Sequence, residues 1–180
     1  MVQMRGPRTE LVLDNGLEEV LFLAGGTGIA PAMQVAHTLL EKRGEQASKP
    51  SVRIIWSNRK REDCVGGATT TATAVVKPGQ VVEQLMDMQR RHPDRLRVDY
   101  VVDDEKTFVD RKRLMQATQS GKVTAVPQAE ASKLLIISGP DGFITHLAGK
   151  KLWDGGQGGQ GQLGGVIDAI GLKGWRVWKM

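Results

Sequence analysis

Gly25, Gly26, Thr27, Gly28 and Pro31 have the types and spacing to hold a phosphate group. They lie in VLFLAGGTGIAPAMQ, residues 20–34, where a short apolar run enters a glycine turn and leaves into an amphipathic segment. Glycine lets the backbone turn tightly and approach a ligand at distances that a Cβ forbids. Pro31 suits the first helical position, where its fixed φ is pre-set and its missing N–H is not needed. The free amides of such a helix end, with the positive end of its dipole, form an anion site suited to a dinucleotide pyrophosphate. The spacing is G-x-G-x-x-P, with proline in place of the third glycine of the dinucleotide fingerprint. A plain strand-to-helix turn has the same composition, so the rest of the chain must decide.

Other chemistries find no support. There is no G-x-S-x-G elbow for a nucleophilic serine. Gly149 and Lys150 lack the spacing of an ATPase phosphate loop, and Lys151 stands where Ser or Thr is required. His37, His92 and His146 have no metal-ligand spacing, and Cys64 is the single cysteine. We therefore expect no catalytic acid, base or nucleophile and no metal. The formal charge of +5 raises a nucleic-acid reading. Against it, Arg90, Arg91, Arg95 and Arg97 are interleaved with Asp94, Asp99, Asp103 and Asp104, and aromatics make up only 4% of the chain. Base recognition leans on aromatic platforms, so solvated surface charge is the better account and no nucleic-acid partner is expected. No run of about eighteen apolar residues would cross a membrane, and no secretory signal is legible, so no membrane contact by this chain is expected.

The elements that would position the glycine turn alternate between strand and helix. Strands are expected at residues 20–24, 52–56, 96–102, 134–137 and 175–179. Helices are expected at 31–43 with Met33, Ala36 and Leu40 inward, at 81–91 with Val82, Leu85 and Met86 inward, at 111–119, and at 142–153 with Phe143, Leu147 and Leu152 inward. The wholly apolar strands read as central, and the alternating ones, 96–102 and 175–179, as edges. This gives an α/β, Rossmann-like parallel sheet of order 3-2-1-4-5 with helices on both faces. The ends of its first and fourth strands meet at the switch point, where open α/β sheets bind ligands. GGTGIAP and SGPDGF, residues 138–143, are thereby brought together. Two tracts, residues 65–79 and the GGQGGQG at 155–161, read as disordered surface insertions.

The string GGTGIAP, with Ile29 completing it, resembles the pyridine-nucleotide loop of the ferredoxin–NADP reductase superfamily, especially the NADH–cytochrome b5 reductases. Three further landmarks follow in that family's order. Arg5-Gly6-Pro7 is similar to the end of a flavin barrel, SNRKRED at 57–63 to an adenosine-side loop, and SGPDGF to a Cys-Gly-Pro-Pro segment at the nicotinamide. The resemblance implies that residues 1–14 are the last strand and linker of an FAD-binding barrel absent from this chain, and residues 15–180 the nucleotide domain. It implies NADH as cofactor, FAD held mainly by that upstream barrel, and a haem or haem-protein electron acceptor. The chain is then a fragment of an NADH-dependent flavin oxidoreductase, not competent alone.

Site roles carried over in this way fall on Ser57, Arg59 and Asp63 at the adenosine, Asp103 at the ribose, and Ser138, Gly139, Pro140, Asp141 and Phe143 at the nicotinamide. Asp103 would repel a 2′-phosphate and favour NADH over NADPH, whereas Arg59 argues the other way. Arg59, Lys60 and Arg61 either hold a phosphate or face water. Ser138 replaces the family's cysteine and is expected to slow or retune hydride transfer; its alternative role is to cap the helix near Asp141. Trp178 either shields the flavin or packs as an edge-strand core residue. The closing GLKGW at 171–175 and the opening RGPRTE at 5–10 resemble a mitochondrial flavoreductase group linked to haem attachment to cytochrome c, which implies an inner-membrane location through an upstream segment; otherwise the location is cytoplasmic. A non-catalytic nucleotide sensor or scaffold is the other reading of the same residues, and a basic nucleic-acid module the weaker one.

Overall fold

A computed structural model describes residues 11–43, 49–67, 77–119, 132–154 and 157–180. Strands β1 (Glu19–Gly25), β2 (Ser51–Asn58), β3 (Leu96–Val102), β4 (Lys133–Ser138) and β7 (Trp175–Lys179) form one parallel sheet in the order β3-β2-β1-β4-β7. This is the expected order, with the two alternating strands at the edges. Between β4 and β7 lies a hairpin of β5 (Leu152–Asp154) and β6 (Gln157–Gly159).

The period of two in each strand divides the core between two helical layers. Val20, Phe22 and Ala24 of β1, with Val52, Ile54 and Trp56 of β2, pack with α1 (Ile29–His37) and α2 (Gln80–Arg91). Leu21 and Leu23, with Ile55 and Ile137, pack on the opposite face with α3 (Arg111–Gln119), α4 (Asp141–Ala148) and α5 (Gly165–Ile170). Both faces of the central strands are covered, which is why their residues are apolar without alternation.

Several local expectations are corrected. The first helix opens at Ile29, after a 3₁₀ turn at Gly26–Gly28, so Pro31 is its third residue rather than its first. The first turn still needs no N–H there. It buries Ile29, Ala32, Val35 and Ala36, then continues through Thr38–Lys42 in π geometry; Met33 is only partly covered. Thr38 Oγ1 donates back to the Gln34 carbonyl at 2.8 Å where the geometry widens. The helix leaves its track at Arg43, and the expected stop at Gly44 lies outside the described residues. In α2, Met88 takes the inward place and Met86 is 39% exposed.

The fourth helix ends at Ala148, not at Trp153, because Gly149 adopts φ +80° and turns the chain into the hairpin. Leu152 is accordingly exposed, and Phe143 is half-buried. The short α5 was not expected at all. Its opening Gly165, at φ +63°, lies so close to α4 that a Cβ would sit 2.2 Å from the His146 carbonyl oxygen.

The glycine tract is not a free insertion where it is described. Gln160, just past β6, accepts from the Lys179 backbone N–H at 2.6 Å and donates Nε2–H to the Lys179 carbonyl at 3.1 Å. Its amide thus pairs the exposed edge of β7 as a strand would. Lys179 is itself buried, and its ammonium donates to the carbonyls of Gln162 (2.9 Å) and Lys150 (3.1 Å). At the other tract, Val65 accepts from Gly79 N–H at 3.0 Å, which closes its neck; residues 68–76 lie outside the described residues. Of the segment at residues 1–14, residues 11–14 are described. Leu11 and Leu13 pack on the core, and Arg43 donates to the Leu13 and Asp14 carbonyls.

Replacing Gln160 by Ala removes two hydrogen bonds to the β7 edge, and we expect about 1–2 kcal/mol of destabilisation in urea denaturation.

Candidate functional site

The site forms where β1 and β4 end side by side. Ala24 is in register with Ser138 on one side, and Gly25 with Ser57 on the other. A Cβ built on Gly28 would lie 2.2 Å from the Ser138 carbonyl oxygen and 2.6 Å from its carbon. One on Gly139, at φ +155°, would lie 3.0 Å from the Gly25 Cα, and one on Gly25 would lie 2.9 Å from the Phe143 ring. The GGTGIAP and SGPDGF loops are therefore in backbone contact, a packing that glycine alone permits. The two motifs the sequence placed together by topology are together.

Within the first loop, Gly26 turns at φ +52° with open space beside it, and Thr27 is exposed at the tip. The amides that open the 3₁₀ turn precede every carbonyl of the helical run, whereas Ile29 N–H, the first of α1, is already bonded to the Gly26 and Thr27 carbonyls. These features fit a pyrophosphate: the opening amides of a helical run, a backbone surface stripped of side chains, and a hydroxyl alongside.

Trp56 is a positioning residue that the sequence reading missed. Its indole Nε1–H donates to the Gly26 carbonyl at 2.9 Å, and its ring lies tilted against Tyr100 at 5.9 Å. The indole thereby fixes the glycine turn from the neighbouring strand. A tryptophan as the last large apolar residue of a strand, two before the polar loop, was the available signal.

In the second loop Ser138 is buried at 9% exposure. The helix-capping alternative for it is set aside, since Pro140 is the N-cap of α4, with no side-chain capping bond and its carbonyl accepting from Phe143 and Ile144 at 2.9 and 3.1 Å. Asp141 is the exposed first residue of α4. Trp178, on β7, is in register with Ile136 of β4 and packs partly buried against the core, as its edge-strand reading expects.

The adenosine-side candidates gather at the ends of β2 and β3. Ser57 lies within β2, half-buried, rather than in the loop. Arg59 is exposed, and its carbonyl accepts from Asp104 N–H at 3.1 Å, which ties the two loops together. Asp103 is exposed and opens the 3₁₀ turn Asp103–Glu105. Asp63 uses its carboxylate to accept from Lys60 N–H at 3.2 Å. Arg61 is paired to Glu105 rather than facing water. Beneath these loops, Cys64 is buried, and burial pushes its thiol pKa up. Asn58 is buried with its Nδ2 unpaired, and the buried Tyr100 hydroxyl also lacks a partner. A cavity of about 390 Å³ between α1 and α2, lined by Met33, His37, Glu41, Met88 and Arg91 among others, contains none of the expected site residues.

Residues 22–148 match the family model described as the oxidoreductase NAD-binding domain. The chain belongs to this family. Over 166 residues it is 25% identical to NADH-cytochrome b5 reductase 2 of Botryotinia fuckeliana, covering 92% of this chain and 42% of that one. The corresponding protein of Saccharomyces cerevisiae is 24% identical, with 92% and 48% covered. The chain thus spans less than half the length of these relatives. In fold it is similar to the cytochrome b5 reductase domain of Ulva prolifera nitrate reductase, with a TM-score of 0.55, 16% identity, and 91% and 50% of the two chains covered. The expected superfamily and fold are both confirmed. Among the described residues no helix is long and apolar enough to cross a membrane, and no group of three or more His, Cys, Asp or Glu could hold a metal ion.

Two outcomes follow from this geometry. Gly28→Ala drives a Cβ into the Ser138 carbonyl and should cost about 2–4 kcal/mol, whereas Gly26→Ala meets only the left-handed backbone penalty of about 1 kcal/mol; urea denaturation separates the two. Burial pushes the single tyrosine, Tyr100, up to about 12. The folded state then holds the phenol proton more tightly than the unfolded chain. Its contribution to stability is complete below the unfolded value near 10, and falls as pH rises toward 12. Phenolate absorbance of the native protein should reach its midpoint well above that of the urea-unfolded chain.

Proposed function

We propose that this domain binds NADH in preference to NADPH and, working with an FAD-holding barrel, feeds hydride to the flavin and electrons onward to a haem or haem-protein acceptor. One observation carries the binding half of this reading: the contact of Gly28 with the Ser138–Gly139 peptide, which merges two glycine loops into one backbone-lined surface at the sheet's switch point. The amides of the 3₁₀ turn Gly26–Gly28 and the Thr27 hydroxyl would hold the pyrophosphate. Ser57, Arg59 and Asp103 border the adenosine side, and Ser138, Gly139 and Pro140 the nicotinamide side. When bound, the nicotinamide supplies a hydride and the flavin divides its electron pair, so the protein's task is distance and orientation.

No side chain in the two merged loops is placed as a general base, and hydride transfer asks for none. Ser138 keeps the approximate size of a thiol at this position but presents a harder, more hydrated oxygen, and its burial fixes where that oxygen lies. The acceptor class is supported by the names of the relatives, which are cytochrome b5 reductases. A mitochondrial role in haem attachment to cytochrome c is supported by the resemblance of residues 5–10 and 171–175 alone.

Calorimetric titration of the chain with NADH and NADPH, at low and moderate salt, tests the reading. Saturable binding that is tighter for NADH and little weakened by salt is expected. Binding that falls steeply with salt and ignores the nucleotide would favour a nucleic-acid surface instead, and no saturable binding of either nucleotide overturns the proposal.

A further inference from the structure

Arg61 and Glu105 are 44 residues apart in sequence, one just after β2 and the other at the end of the turn after β3. In the fold they form a two-pronged ion pair. Arg61 Nε donates to Glu105 Oε1 at 2.6 Å, and Nη2 donates to Oε2. The remaining guanidinium nitrogen, Nη1, is directed to the Gly67 carbonyl (3.4 Å) and the Cys64 sulfur (3.7 Å). Every nitrogen of the guanidinium therefore has a partner. The pair shifts both partners: Arg61 is raised and Glu105 lowered, in each case chiefly by their mutual hydrogen bonds.

The placement gives this pair its meaning. The loops that carry it are the ones that border the adenosine side, tied by the Asp104 N–H to Arg59 carbonyl bond. A 2′-phosphate differs from a ribose hydroxyl by about two negative charges and three acceptor oxygens, and the protein group suited to it is an arginine fork. Arg61 presents that fork in the sequence, since it stands in a run of Arg59, Lys60 and Arg61. In the fold, a carboxylate from the turn after β3 already occupies it.

We infer that Glu105 is a specificity-determining residue: by filling the Arg61 guanidinium it withholds that cation from a 2′-phosphate and so sets the preference for NADH. This role rests on the nucleotide-binding reading above. It differs from the expected repulsion by Asp103, because it acts by removing an attraction rather than by adding a negative charge. Glu105 touches no nucleotide in this account and works through Arg61.

The test compares NADH and NADPH binding by calorimetry in the wild-type chain, Glu105→Gln and Asp104→Asn, with adenosine 5′-monophosphate and adenosine 2′,5′-bisphosphate as fragment probes. Glu105→Gln frees the Arg61 fork while keeping shape. Affinity for NADPH relative to NADH should rise about tenfold or more, with the same rise for the bisphosphate relative to the monophosphate. Asp104→Asn removes the same charge from the same turn without freeing Arg61 and should give a much smaller change. Adding Arg61→Ala to Glu105→Gln should abolish the gain, and Glu105→Ala repeats the test should the glutamine variant misfold. An unchanged ratio in a folded Glu105 variant, an equal gain from Asp104→Asn, or a gain that survives Arg61→Ala would each overturn the inference while leaving NADH binding intact. Absence of NADH binding by the wild-type chain would instead overturn the nucleotide-binding reading, and this role with it.

Discussion

Parallel pairing of β1 with β4, from Glu19 opposite Lys133 to Ala24 opposite Ser138, brings two loops from distant parts of the chain to the same point. At that point the backbones touch. Gly28 lies against the Ser138–Gly139 peptide, Gly139 against Gly25, and Gly25 against the Phe143 ring. The helix ends, the exposed Thr27 and the buried Ser138 all take their positions from this contact. A side chain at any of these glycines would wedge the loops apart and tilt α1 or α4 away from the sheet. The apolar strands beneath make the contact rigid, because β1 and β4 are buried on both faces and cannot slide without exposing a full row of residues.

The ends of β2 and β3 are built differently. There the loops after β2 and β3 are joined by charge and polar contacts: the Arg61–Glu105 pair, the Arg59–Asp104 backbone bond and the Asp63 carboxylate on Lys60 N–H. An exposed ion pair contributes little to stability by itself, so the value of these contacts lies in which charges they leave available. Trp56 links the two halves. It packs on Tyr100 of β3 and holds the Gly26 carbonyl with its indole N–H.

At the same end of the sheet, its other edge, β7, shows how a glycine-rich tract can be ordered by a few polar side chains. The tract has nothing apolar to bury, and flexibility is the natural expectation for GGQGGQG. The Gln160 amide nonetheless pairs both backbone groups of Lys179, while the Lys179 ammonium is buried among carbonyls at the cost of a lowered pKa. Such an amide-to-strand match depends on where the chain returns in space, and no local periodicity announces it.

The sequence by itself determined the layer architecture and the strand order, since wholly apolar strands must be central and alternating ones must be edges. It also determined that the two glycine loops converge, because strand order places their ends at one switch point. Periodicity is a local property that survives without coordinates, and it set these features. What only the tertiary structure decided is where long-range partners meet. Met88 rather than Met86 faces inward in α2, Gly149 ends the fourth helix early, and the short α5 forms because Gly165 can approach the His146 carbonyl. Arg61, which the sequence left open between phosphate and water, is claimed by Glu105. Each of these outcomes turns on one atom meeting another across many residues of chain, and spacing along the chain carries no record of that distance.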